Sequence, residues 1–256
     1  MSPAKLKYWK QSIFILIAIV ALSGAFYLYR KHQRLQSPPI PQTAVTYNSP
    51  SQTSTIDSST QTSKPIPPSL LINVPFTVQA PTANWDELHN EACEEASAIM
   101  AHAYFQERIT NLQPQEVEDE IAKLTIWQDQ NQSFHLDQTT AEVSKMIESV
   151  YNLHVKTEPL SEAGIKRALT DNKLVLISFN GQLLHNPHYK QPGPIHHMLV
   201  LTGWTADDHY ITNDSGTKFG QNYQYDFPTL QSAAGDWDHS QNTTDASKKQ
   251  MLIVSN

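Results

Sequence analysis

"NEACEEASAIMAHAYF", Asn90 to Phe105, holds the only cysteine of the 256 residues. Cys93, Ala96, Met100 and Ala103–Tyr104 recur at helical spacing, and Ala98 and Ile99 leave little polar surface after the first turn, which predicts a buried helix. Glu94 and Glu95 sit where acids offset the positive end of a helix dipole, so Cys93 falls at or beside the helix start. A free cysteine there has two readings. It is a small core residue, or it is a nucleophile whose thiolate is stabilised by outward-pointing backbone N–H groups. The two glutamates oppose the second reading by raising the thiol pKa, so a reactive Cys93 needs a cationic partner.

Outward from this helix the pattern changes type. "QPQEVEDEIAKLTIWQDQ", with Pro114 near its start, "DQTTAEVSKMIESVYNL" and "SEAGIKRALTDN", with Ser161 as a candidate N-cap, read as three more helices. "KLVLISFN", "HMLVLTGW", "HYITND" and the terminal "MLIVSN" are short apolar runs bounded by turn residues and read as strands. "LLINVPFTVQAP" reads as a strand or extended arm. Helices come first and strands later, so the expected class is α+β.

The cationic partner is sought in "GPIHHMLVLTGWTADDHYITNDSGT". A turn centred near Ala206 pairs position 197 with about 215, which makes His197 and Asp214 near cross-strand neighbours. That juxtaposition suits a base and the carboxylate that orients it, or a polar pair at the mouth of a surface hairpin. His196 is the rival base, because a slip of one residue exchanges the faces of the two histidines. Gln79, upstream of the cysteine, carries an amide able to donate to an oxyanion.

From Ile72 onward the chain carries 11 Lys and Arg against 24 Asp and Glu, a net charge of −13. Such a domain is ill suited to nucleic acid, whose phosphates need clustered cations, and suits cationic substrates. One cysteine excludes an intrachain disulfide. The absence of CxxC and GxxxxGK[ST] leaves no thiolate zinc site or P-loop ATPase indicated. His185, His188, His196 and His197 lie close together, but on a loop without ligand spacing, so no metal and no cofactor is expected.

Ahead of the domain (71–256), a basic tail (1–11) precedes an uncharged apolar run. This run, Ile13 to Tyr29, is long enough at about 1.5 Å per residue to span a bilayer core. It is expected to be a single transmembrane anchor (12–29), with a cleaved signal peptide as the alternative. Residues 30–70 form a linker. Of the 33 residues Ser37–Ser69, 21 are Ser, Thr or Pro, which is too polar to fold and fits a spacer holding a domain off the outer face of a membrane.

"NVPFTVQAP…NEACEEASAIM", "LISFNGQLLHNPHYKQPGPIHHMLVLTGW" and "YITNDSGT" together resemble the papain-like cysteine peptidases of the double-glycine leader peptidase type, and more closely their stand-alone members, over roughly Ile72 to Tyr225. The resemblance implies a papain-like fold, with a central helix led by the nucleophile and packed on an antiparallel sheet. It also implies Cys93 as nucleophile, His197 as base and acid, Asp214 as orienting carboxylate and Gln79 as oxyanion donor. Glu94, Trp85 and His196 are then the expected substrate-facing residues. Many relatives have Gly after the cysteine, where this chain has Glu94, and leader-processing members usually sit on a transporter whose ATPase is not visible here. The expected function is therefore a membrane-anchored hydrolase of peptide or related amide bonds acting on a peptide or protein. The alternatives are a silent peptide- or cell-wall-binding module of the same fold and an acyl- or amidotransferase.

Overall fold

The computed structural model describes residues 45–47, 64–132 and 136–256. The expected basic tail, the membrane anchor and most of the linker lie outside the described residues. Among the described residues no helix is long and apolar enough to cross a membrane. One short element falls inside the expected spacer. Strand β1 (Val45–Tyr47) runs parallel to β2 (Leu70–Ile72). Val-Thr-Tyr is a β-prone triplet whose local character an average over the polar segment conceals.

Four helices follow: α1 (Glu87–Asn90), α2 (Cys93–Phe105), α3 (Pro114–Asn131) and α4 (Thr140–Tyr151). Local chemistry sets their ends. Pro114 opens α3, where its missing N–H costs nothing. Thr139 and Glu142 close a reciprocal capping box on α4, and Asn152 ends that helix in the left-handed region. Helix α2 is apolar nearly all round, and every residue in it except His102 is buried. It is the central helix, packed on the sheet and flanked by α3 and α4.

Next come β3 (His154–Pro159), α5 (Glu162–Thr170, capped by Ser161), β4 (Leu174–Phe179), a 3-10 turn (Gly181–Leu184), β5 (His197–Trp204) and β6 (His209–Asp214). The chain finishes with β7 (Tyr223–Asp226), α6 (Phe227–Ala233), the small hairpin β8 (Asp236–Asp238) with β9 (Thr243–Asp245), and β10 (Gln250–Ser255). The main sheet runs β1-β2-β5-β4-β10-β3, with β6 on β5 and β7 on β6; every pairing except β1–β2 is antiparallel. The class is α+β, as the order of helical and strand patterns predicts.

Two strands carry the site. All of β5 is buried, because β4 and β6 pair with it and α2 covers it. In the β5–β6 hairpin Leu199 pairs with Asp214, and a register shift between Leu201 and Gly203 moves the remainder of the ladder by one residue. Trp204 pairs with Tyr210, so the turn centres one residue later than Ala206, and the bulge takes back one of the two residues by which this displaces the expected pairing of 197 with about 215. The strands β3 and β7 and helix α6 have no counterpart in the sequence reading. Exposed, charged β3 lacks apolar alternation, and it is held at the sheet edge by β10.

Candidate functional site

His197 opens β5 and Asp214 closes β6, so the hairpin brings imidazole and carboxylate to one end of the sheet. His197 Nε2 lies 2.8 Å from Asp214 Oδ1, and both side chains are buried. The same oxygen accepts from the Gly216 backbone N–H (3.0 Å). Asp214 Oδ2 accepts from Asn186 Nδ2 (2.9 Å) and from the hydroxyls of Tyr189 (2.6 Å) and Tyr225 (2.8 Å). Burial pushes this carboxyl up, but the charge and hydrogen bond of His197, with the two tyrosines, outweigh it and hold Asp214 below its usual value. Asp214 is thus ionised, and His197 Nε2 carries the proton it donates. In the neutral ring Nδ1 then keeps its lone pair, the arrangement a general base needs. The Tyr189 ring meets His197 edge to face at 5.3 Å. A Cβ on Gly216 would come within 2.9 Å of His197 Cε1, so glycine is what lets the chain cross this close to the ring.

Cys93 opens α2, as its sequence context predicts, and is 2 % exposed. Its Sγ donates to Glu94 Oε2 at 2.8 Å and makes no hydrogen bond to His197. Burial, and after it the neighbouring Glu94 charge, raise the Cys93 pKa well above that of an ordinary thiol, so the sulfur is protonated. Glu94 is itself fully buried. Its Oε1 accepts from the Gln138 backbone N–H (2.8 Å) and lies 3.3 Å from His196 Nε2. Burial raises the Glu94 carboxyl, but His196 and the hydrogen bonds win and hold it low. His196 moves the other way: burial lowers it, and Glu94 brings it above the usual imidazole value. The His196 ring also meets Ser178 Oγ at 3.3 Å and packs against Trp237.

The two adjacent histidines therefore serve two carboxylates, His197 with Asp214 and His196 with Glu94. Glu94, His196 and Asp137 each offer one ligand-type atom, all within 4.8 Å of one another, and no metal-ligand group of three or more involves His197 among the described residues. Burial and Glu94 push Asp137 up to about 8, and its carboxyl is paired with that of Glu91. Hydrogen bonds thus account for the cluster.

Gln79 lies between the two halves of the site. Its backbone N–H donates to Ser215 O (3.0 Å), and its Nε2 donates to the carbonyls of His89 (3.0 Å) and Asn90 (2.9 Å). It fastens the segment before Cys93 to the residue after Asp214. Trp85, 48 % exposed, stands in the loop before α1. The sequence reading did not single out Asn186, Tyr189 and Tyr225. A signal existed for Tyr225 only: Tyr223 and Tyr225 alternate with polar residues, as one face of a strand does.

The model of the Peptidase_C39 like family matches residues 71–245. Among solved structures, the chain is similar to a protein from Bacillus anthracis described as a C39-like peptidase. The two share 14 % sequence identity with a TM-score of 0.45, over 72 % of this chain and 95 % of that one. No curated protein matches the chain.

Proposed function

The chain belongs to the Peptidase_C39 like family, and from that premise we propose that it is a cysteine peptidase that hydrolyses peptide or related amide bonds through Cys93, His197 and Asp214. The observation that supports this most is the His197–Asp214 pair at 2.8 Å, with His197 on β5, the strand against which the Cys93 helix packs, and the Asp214 carboxylate held by four further donors. Five donors on one carboxylate fix its position and its charge, as an orienting group requires.

In the reaction, Sγ passes its proton to His197 Nδ1 and attacks the scissile carbonyl. Asp214 stabilises the imidazolium that forms. The tetrahedral oxyanion develops beside the start of α2, where the first backbone N–H groups have no partner within the helix. Gln79 donates to that oxyanion only by exchanging one of the carbonyls it now holds. Without that exchange it keeps the His89–Asn90 segment in place. The imidazolium then protonates the leaving amine, and water, deprotonated by His197, releases the acyl group and restores the thiol. Of the expected substrate-facing residues Trp85 is exposed, whereas Glu94 and His196 are buried and meet a peptide only through a group that enters beside them. Residues 12–29 anchor the enzyme in a membrane, and the linker carries the catalytic domain on the outer face.

The test is acylation of the full chain by an activated ester, read by mass spectrometry. A stoichiometric adduct on Cys93 that is strongly reduced in His197→Ala is the expected result. Equal labelling of the variant, or none of the wild type, contradicts the proposal. Release of the acyl group to an added amine in preference to water would assign a transferase. Retention of peptide without acylation would assign a binding module.

A further inference from the structure

The resting sulfur is engaged by the residue next to it in sequence. Cys93 Sγ donates to Glu94 Oε2, and Glu94 Oε1 is held by the Gln138 N–H and His196. Three separate segments thus converge to keep one carboxylate in place against the thiol: the first turn of α2, the approach to α4 and the residue before β5. A carboxylate so fixed stabilises S–H by accepting its proton and opposes S⁻ by like charge. The other charged groups around the sulfur point the same way. Glu95 on the same helix and Asp137 on the segment before α4 disfavour the thiolate only once ionised, and both carboxyls are pushed up to about 8, so at neutral pH Glu94 is the acid that acts on the sulfur. Glu91 pairs with Asp137 just ahead of α2. His196 is the cation on this side, and Glu94 already engages it. The His197 ring is committed to Asp214 through Nε2.

We propose that Glu94 is a positioning residue that locks Cys93 as a thiol, and that a cationic group of the substrate releases the nucleophile by taking over the Glu94 carboxylate. This rests on the peptidase reading and adds regulation and a substrate class to it. With Glu94 occupied by an ammonium or guanidinium, the S–H loses its acceptor and the thiolate loses its nearest negative neighbour. The proton then moves to His197 Nδ1, giving the thiolate–imidazolium pair. Partly buried Glu91 and Asp137, beside Glu94, are the approach by which such a cation reaches the buried carboxylate.

The test follows thiol chemistry, so it can fail without the peptidase reading failing. The full chain, as wild type, Glu94→Gln and Glu95→Gln, is alkylated with neutral iodoacetamide from acid to alkaline pH, with near-ultraviolet circular dichroism confirming each fold. The expected result is that Glu94→Gln moves the alkylation profile to lower pH and reacts at least about tenfold faster at neutral pH, the effect of one pH unit of thiol acidity. Glu95→Gln, which removes a neighbouring acid that does not touch Sγ, moves it less. A folded Glu94→Gln that tracks the wild type, or a Glu95→Gln that moves as far, overturns the proposal. A second measurement needs no variant: the infrared S–H stretch of the wild type is expected at lowered frequency, and an unshifted band overturns the lock. For the release, cationic and anionic methanethiosulfonates are compared, each forming a disulfide with Sγ and expelling methanesulfinate, with rates normalised to the unfolded chain. Preference for the cationic reagent, lost in Glu94→Gln, is expected. Equal rates in the wild type overturn the cationic trigger.

Discussion

Asp214 is the residue on which the site's geometry converges, and its donors are not equivalent in what their loss would do. Asp214→Ala leaves the Tyr189 and Tyr225 hydroxyls and the Asn186 amide without their buried acceptor and frees the His197 ring to turn. Catalysis is expected to fall by about 10³–10⁴, the scale seen when an orienting carboxylate is lost, with folding also weakened. Tyr225→Phe removes one donor of five. It is expected to cost about 1–2 kcal/mol of stability, as for a hydrogen bond to a buried charge, and to lower kcat far less than Asp214→Ala does. Chemical denaturation and single-turnover kinetics on the two variants separate these effects. The folded Asp214 carboxyl lies below its ordinary value of 3.8. Its contribution to stability is therefore complete above that value and is lost as pH falls through the lowered folded value.

At the scale of elements, the β5–β6 hairpin was legible in the sequence to within one residue. Two apolar runs around "TADD" fix the partners; the turn centre, one residue later than expected, and the bulge between Leu201 and Gly203 were not legible. A bulge leaves the alternation on either side intact, so a pattern read separately in each strand does not register it. Gly203 marks it for a second reason, since a Cβ there would lie 2.0 Å from Leu70 O on β2. Gly203→Ala must push β2 off β5, and a loss of about 3 kcal/mol, at the upper end of overpacking costs, is expected in equilibrium unfolding. The helix ends were equally readable. Ser161 caps α5 through the Gly164 N–H, and Ser161→Ala is expected to cost about 1 kcal/mol. By contrast, the loop residues Asn186 and Tyr189 carry no period. They reach Asp214 across 28 and 25 positions of chain, and only the fold makes them neighbours.

For the whole molecule, the sequence placed the sulfur at a helix start beside two acids, and an imidazole near a carboxylate, but did not show that those two acids are buried. Glu94 and Glu95 read as ordinary first-turn acids because periodicity does not tell a solvated helix start from a buried one. The structure buries both. Burial, and then Glu94, push Glu95 up to about 8. Its Oε1 accepts from Gln128 Nε2 on α3, while Glu95 Oε2 and Gln128 Oε1 lack partners. A protonated Glu95 satisfies both orphans at once, its O–H donating to Gln128 Oε1 to close an acid–amide ring between α2 and α3. The unfolded carboxyl titrates near 4.5 and the folded one near 8, so the folded state binds the extra proton in that window. Stability is expected to be complete below the unfolded value and to fall as pH rises through the folded one, by at most about 5 kcal/mol. Denaturant titrations in mildly acid and mildly alkaline buffer should show this slope in the wild type and a flatter one in Glu95→Gln.

Peptide hydrolysis by one thiol is the claim on which the account stands, and product profiling of a peptide library, incubated with full-length wild type and with Cys93→Ala, tests it most directly. New peptide termini are expected with the wild type and none with Cys93→Ala, with cleavage enriched beside cationic residues. The same products from both proteins, or no cleavage by a folded wild type, would contradict it.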